Sequence, residues 1–240
     1  YYSFGKDTGF PGAWAPGTPG LAGRVTDGTL AADGGCIPIR NATSPAANHI
    51  VHATVTSSIV QAFELFDILW VNSGIVVTTT TAQTVNSVAF PARDQDGSTN
   101  GRGVMVGILV VTATTNAGLV SPTLQYTNSD GTAGRTGTMA SQFPATAVAG
   151  TVVWFSLQAG DSGPRSIQSV TLVTSLGAGA VSLIAARSLV QIPTSVINTT
   201  HEARLGAGVQ LYNGVCLIPM FRAAATTATT AIGGLVIEAR

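Results

Sequence analysis

The chain has 240 residues, of which 45% are hydrophobic and only 9% are charged, and its formal net charge is zero. This length is enough to bury a sizeable core, which excludes a mini-protein that depends on disulfides or metals. Intrinsic disorder requires low hydrophobicity and high net charge, so the composition excludes it too. Zero net charge provides no long-range field for phosphates or anionic lipids, and no apolar run reaches the roughly 18 residues of a membrane span. We therefore expect neither a nucleic-acid partner nor a membrane partner.

The N-terminal region differs from the rest in composition. Its first 35 residues contain nine glycines and three prolines, which cannot sustain a helix or a central strand. We predict an extended Gly/Pro-rich arm over residues 1–50. Tyr1 is preceded by no methionine and opens no signal-peptide pattern, so we expect that upstream residues were removed, cleaved or omitted. Exposed aromatic side chains are unusual in a free linker, so those of the arm predict an interface with its own domain or a neighbouring subunit. These candidate interface residues are Tyr1, Tyr2, Phe4, Phe10 and Trp14.

From about residue 50 onward the pattern is typical of β-structure. Runs rich in β-branched and aromatic residues alternate with Asx-Gly and Gly-Pro turn signals, and this spacing indicates a sandwich or a barrel. We expect a single domain over residues 51–240, an antiparallel jelly-roll-like β-sandwich, with Trp154 in its core. The predicted strands are 52–60, 74–81, 104–113, 122–127, 151–158, 166–173, 180–190, 209–221 and 232–239.

One segment admits two interpretations. In residues 61–70, Phe63, Phe66 and Trp70 fit a helical period, whereas Phe63, Leu65 and Leu69 fit the alternation of a strand. The sequence leaves both open.

The candidate metal ligands and thiols form no recognisable site. Cys36 and Cys216 are the only cysteines, and 180 positions separate them, so we expect two buried free thiols, with a disulfide as the alternative. His49 and His52 are three residues apart, which in a strand predicts opposite faces and no shared metal. Residues 94–100 resemble the start of a calcium loop, but Met105 stands where its glutamate belongs, so we predict an Asx turn.

Catalytic motifs are also weak. Residues 160–163, Gly-Asp-Ser-Gly, resemble the surroundings of a serine nucleophile, but Pro164 follows directly and the matching histidine and aspartate segments are missing. The chain has one lysine, no phosphate loop and few carboxylates outside turn-like contexts. We therefore predict that the protein is not an enzyme and has no catalytic residues, no metal site and no cofactor.

The scarcity of charge has a second implication. Charged side chains are the usual device by which β-proteins protect their edge strands, and this chain has largely given them up. We expect its surface to be covered by other subunits, in a homo-oligomer for which a trimer is one arrangement.

A resemblance to a known group of proteins rests on four stretches: residues 70–81, 112–118, 124–138 and 143–172. These stretches resemble a poorly characterised group of structural proteins of tailed-bacteriophage virions. The resemblance covers roughly residues 60–190, and residues 211–219 are compatible with it. It implies a virion location after assembly in the bacterial cytoplasm, with the major capsid protein or neighbouring subunits as partners, and a role as a capsid decoration or minor capsid (cement) protein. A tail, neck or spike protein and a receptor- or glycan-binding module are the alternatives.

Overall fold

The protein is built from β-strands. The structure, a computed structural model, describes residues 2–4, 24–28, 36–37, 39–85, 88–115, 121–223 and 230–240, and these ranges contain no helix. The predicted all-β class is therefore confirmed for the described part of the chain.

The described ranges contain fourteen strands, which form two antiparallel sheets of four and ten strands. The smaller sheet has the order β1-β14-β3-β12, and the larger has the order β13-β4-β11-β6-β9-β8-β7-β10-β5, with β2 beside β4. The strands are β1 (Tyr2–Phe4), β2 (Arg24–Val25), β3 (Asn48–Ser57), β4 (Gln61–Asn72), β5 (Ala82–Thr84), β6 (Val104–Thr112), β7 (Thr123–Asn128), β8 (Arg135–Met139), β9 (Val152–Ser156), β10 (Pro164–Thr171), β11 (Ala180–Thr194), β12 (Thr200–Leu211), β13 (Leu217–Ala223) and β14 (Ala231–Ala239).

The ambiguous segment is strand β4. Every residue from Leu65 to Asn72 is buried, so both faces of the strand are covered. A strand buried on both faces is a continuous apolar run, and such a run satisfies helical and strand spacing equally well. This is why the sequence could not separate the two interpretations.

Two of the predicted strands were wrong. Residues 74–81 form a loop, in which the Thr79 N–H donates to the Val76 carbonyl at 3.1 Å and the Gln83 side chain bonds the Val76 backbone at 2.8 and 3.0 Å. The predicted strand 209–221 is two strands, β12 and β13, separated by the turn at Asn213 and Gly214. In both cases a local turn outweighs the β-propensity of the flanking residues.

The chain forms two compact units. Unit 1 comprises residues 1–12, 27–67 and 188–240, and unit 2 comprises residues 13–26 and 68–187. Strands β4 and β11 contribute residues to both. Strand β3 begins at Asn48, within the predicted arm, and the division into an arm over residues 1–50 and one domain over residues 51–240 stays a prediction.

The core of unit 1 takes side chains from both sheets. The smaller sheet supplies residues of β3, β12 and β14, and the larger supplies residues of β4, β11 and β13. Burial of these apolar faces is the main stabilising contribution, at about 25 cal/mol per Å². The buried members are Ile37, Ile50, Ala53, Val55, Phe63, Leu65, Val190, Ile192, Leu211, Val215, Leu217 and Leu235.

Unit 2 has its own core, centred on strands β6, β7 and β10 and on the second half of β4. Trp70 is fully buried there, and its ring lies 6.0 Å from that of Phe90. The expected core residue Trp154 does lie inside the sheet, on β9 between β6 and β8, but its side chain is only half-buried. Its neighbours Val153 and Phe155 occupy the core face, because successive side chains of a strand alternate.

Candidate functional site

Cys36 and Cys216 form a disulfide, so the expectation of two free thiols was wrong. Their Cα atoms are 5.2 Å apart, although 180 positions separate them in the sequence, and both residues are buried in unit 1. Sequence spacing carries no information about such a pairing, because only the folded chain brings the two segments together.

The segment around Cys36 is fixed to β13 and to the turn before it. The Ile37 N–H donates to the Leu217 carbonyl at 2.8 Å, and the Cys216 N–H donates to the Asp67 carboxylate at 3.0 Å. A little further on, the Gly214 N–H donates to the Asn41 side-chain oxygen at 2.9 Å. Part of the predicted arm is thus built into unit 1.

A second part of the arm belongs to unit 2. Strand β2 pairs with β4, and the buried Arg93 guanidinium donates to the Thr26 carbonyl and hydroxyl, each at 2.8 Å, and to the Ile68 carbonyl at 3.0 Å. The arginine therefore anchors the residues that directly follow strand β2.

The N-terminal strand occupies the outer side of β14. Residues Tyr2–Phe4 pair antiparallel with Gly233–Leu235. Of the candidate interface residues, Tyr2 and Phe4 thus lie on a sheet edge, and the structure describes only their backbone. Tyr1, Phe10 and Trp14 lie outside the described residues.

A cluster of polar side chains in unit 2 surrounds Asp161, which follows β9. Its carboxylate accepts two hydrogen bonds of 2.9 Å from the Arg135 guanidinium, one of 2.8 Å from the Asn128 amide and one of 2.5 Å from the Tyr126 hydroxyl. The Tyr126 oxygen in turn accepts the Gln158 N–H at 2.8 Å. The side chain of Asp161 is 2% exposed, so its charge is buried but fully compensated.

These contacts shift the protonation equilibria of the cluster. The hydrogen bonds from Arg135 are the largest cause that lowers the pKa of Asp161, to about 2. Burial and the bond to Asp161 raise the pKa of Tyr126, and the bond to Asp161 raises the pKa of Arg135. At neutral pH these shifts favour an ionised Asp161 beside a protonated Tyr126 and a charged Arg135. Tyr126, Asn128 and Arg135 lie 26 to 35 positions before Asp161, so no local pattern could have revealed the cluster.

The Gly-Asp-Ser-Gly segment belongs to this network and to the turn beside it. Asp161 is bound as described, and the Ser162 hydroxyl lies 2.8 Å from the Ser129 hydroxyl. In a nucleophilic site the serine would instead contact a general base. The segment therefore links two loops of unit 2.

Asp94 organises its own loop, as the Asx-turn prediction expected. Its carboxylate accepts the N–H groups of Asp96, Ser98 and Arg102 at 3.0, 2.6 and 3.1 Å, and the Ser98 hydroxyl at 2.7 Å. Burial acts to raise the pKa of Asp94, but these hydrogen bonds outweigh it and lower the pKa. The loop's own donors thus occupy both carboxylate oxygens.

The prediction that His49 and His52 lie on opposite faces of a strand was wrong. Ile50 and Ala53 of β3 are both fully buried although they are three residues apart, because Val51 bulges out of register with both neighbouring strands. The bulge shifts the alternation and brings His49 and His52 to the same face instead of opposite faces. His52 Nε2 lies 3.0 Å from the Glu202 carboxylate, whereas His49 Nδ1 lies 3.1 Å from the Ala47 carbonyl.

Two further findings concern only the described ranges. There, no three His, Cys, Asp or Glu side chains stand close enough together to hold a metal ion. No helix in these ranges is long and apolar enough to cross a membrane. Comparisons of the chain with known protein families, with curated proteins and with solved structures found no match.

Proposed function

We propose that this chain is a structural component of a bacteriophage virion, a capsid decoration or minor capsid (cement) protein that stabilises the head through contacts between subunits. The observation that carries the proposal is the pairing of Tyr2–Phe4 with Gly233–Leu235, because it supplies a sheet edge that accepts an N-terminal strand. A strand that adds to an edge of its own chain can add to the same edge of a neighbour.

The composition supports the same role. With 9% charged residues, the surface has few of the side chains that keep β-proteins apart. The described polar clusters, around Asp161 and Asp94, are closed by donors of the same unit and hold loops in place. Such clusters suit a protein that contributes contacts rather than chemistry.

The architecture is consistent with this class. The shared core of unit 1 supports a β-sandwich arrangement of the two sheets, and the jelly-roll subtype stays a prediction. Head and tail proteins use the same kinds of β-fold, so location on the particle has to be measured.

The test is size-exclusion chromatography with light scattering on the full chain and on a variant without residues 1–20. This deletion removes β1 and keeps β2, Thr26 and the disulfide, so the variant retains the contacts of Arg93 and of Cys36. We expect the full chain to form a homo-oligomer and the variant, which lacks the contacts of β1, to form a smaller assembly at the same concentration. Thermal unfolding of both proteins controls for loss of the fold.

Location is tested by mass spectrometry of virions purified from cells that carry the gene. The proposal requires the chain in the head fraction. Its recovery with tails would support the tail, neck or spike alternative, and its absence from particles would overturn the proposal.

A further inference from the structure

Strand β12 forms an outer edge of the four-stranded sheet. Strand β3 pairs with one side of it, and none of the described strands lies on the other side. The strand has 12 residues, more than most edge strands in globular proteins. Its outer side offers a row of backbone N–H and C=O groups to another strand.

The two halves of β12 differ in how far their outer edge is protected against pairing with another strand. After Arg204 the pairing with β3 breaks and resumes at Val209, and Arg240 donates a hydrogen bond of 3.3 Å to the Ala207 carbonyl. The first half, residues 200–205, pairs regularly with β3 from Thr200 to Arg204 and contains neither lysine nor proline. It therefore lacks two of the devices that stop an edge from pairing, and its two charged residues, Glu202 and Arg204, are opposite in sign.

The charges of this half are self-complementary. Glu202 and Arg204 lie on the exposed face of the strand, where the Arg204 Nε lies 3.1 Å from the Glu202 carboxylate. In an antiparallel pair of two such strands centred on Ala203, each Glu202 stands opposite the Arg204 of the other copy. Opposite charges that face each other across strands stabilise the pair.

The opposite face of residues 200–205 carries apolar side chains at the edge of the unit 1 core. Ala203 and Leu205 pack against the core of unit 1 but remain half-buried. Val196 and Ile197, directly before β12, are 54% and 51% exposed. A stable interface buries on the order of 1,600 Å² of surface. The paired strands would supply part of this area, and the exposed apolar side chains beside them would supply more.

We propose that residues 200–205 are a self-association edge, at which β12 of a second copy of this chain pairs antiparallel about a two-fold axis at Ala203. The contact continues the four-stranded sheet into an eight-stranded sheet across the dimer. It is independent of the N-terminal strand, which lies at the opposite edge of the same sheet.

The first test is a charge-reversal cycle measured by sedimentation equilibrium. Glu202→Arg and Arg204→Glu each place like charges opposite each other twice per dimer, so we expect either to weaken association at least tenfold. The double variant restores the complementarity and should recover most of the affinity. Asp96→Arg is the matched control, because Asp96 and Arg102 form the same kind of exposed pair at 3.2 Å in a loop of unit 2. Single variants that associate as tightly as the unchanged protein would overturn the proposal.

The second test reads the register directly and does not depend on the charges. Ala203→Cys should form an intermolecular disulfide under mild oxidation, because directly opposite Cβ atoms are about 5 Å apart. Arg204→Cys should cross-link poorly, since its two copies would be diagonal neighbours. Equal cross-linking of both variants, or of neither, would contradict the two-fold at Ala203.

Failure of this inference can be told from failure of the proposed function. If removal of residues 1–20 dissociates the oligomer while the charge reversals leave it unchanged, the arm holds the assembly and the β12 contact is wrong. If the reversals dissociate it and the deletion does not, the β12 contact stands without the arm.

Discussion

Asp161 and Arg135 meet side by side, with Nε and one terminal nitrogen of the guanidinium each 2.9 Å from a different carboxylate oxygen. The aspartate is 2% exposed and the arginine 24%, so the pair is largely withdrawn from water. It connects the start of β8 with the loop that follows β9. Two-point pairing of this kind fixes orientation as well as distance.

Replacement of Asp161 by asparagine should destabilise the protein. The change keeps the shape but leaves the Arg135 charge without its partner, and we expect a loss of about 3 kcal/mol in the free energy of unfolding. Urea denaturation measures it. Asp130→Asn is the control, because Asp130 is exposed in the neighbouring turn and its replacement should change stability by less than about 0.5 kcal/mol. Equal effects of the two replacements would refute the role of the network.

The pairing of Asp161 with Arg135 also predicts how the free energy of unfolding depends on pH. The pKa of Asp161 is about 2 in the folded protein and 3.8 in the reference state, so the folded state holds the ionised form more tightly. This contribution is present above pH 4 and is lost as the pH falls from about 4 through about 2. Denaturation at a series of pH values should show a steeper decline for the unchanged protein than for Asp161→Asn. Parallel curves would contradict the assignment.

Two glycines with positive φ should respond differently to alanine. Gly101 has φ +80°, and a Cβ there would overlap the Pro164 carbonyl oxygen, whereas Gly134 has φ +72° with no atom within 4 Å of such a Cβ. Both variants bear the cost of the backbone conformation, about 1 kcal/mol. Gly101→Ala adds a collision with fixed backbone and should cost at least about 2 kcal/mol more. Thermal unfolding of the two variants measures the difference in their stability. Equal losses of stability would show that the Pro164 backbone moves away from the added Cβ without a further cost.

The disulfide should resist reagents and contribute to stability. Both cysteines are buried and paired, so a thiol reagent should label no cysteine in the folded protein. After reduction in denaturant it should label two. A Cys36→Ser, Cys216→Ser double variant should lose about 2 to 5 kcal/mol, because the cross-link restricts a long loop of the unfolded chain. Rapid labelling of the untreated, folded protein would contradict the pairing.

Local patterns predicted the features that depend on near neighbours. Runs of β-branched residues predicted seven of the fourteen described strands: β3, β6, β7, β9, β10, β11 and β14. One of the Asx-Gly turn signals, Asn128–Gly131, lies at the turn between β7 and β8. The Asx turn at Asp94 was also readable, since its donors lie within eight positions. These features depend on backbone propensity and short hydrogen bonds, which a sequence window contains.

The tertiary structure decided what depends on distant segments. It made residues 61–72 a strand that is buried on both faces from Leu65 to Asn72. It joined Cys36 to Cys216 and assembled Tyr126, Arg135 and Asp161 into one network. It also placed His49 and His52 on one face, through a bulge defined by two partner strands. By itself the sequence determined an all-β chain with little charge. Which side chains meet was decided by the pairing of strands far apart in the chain, because register and burial arise only when the sheets form.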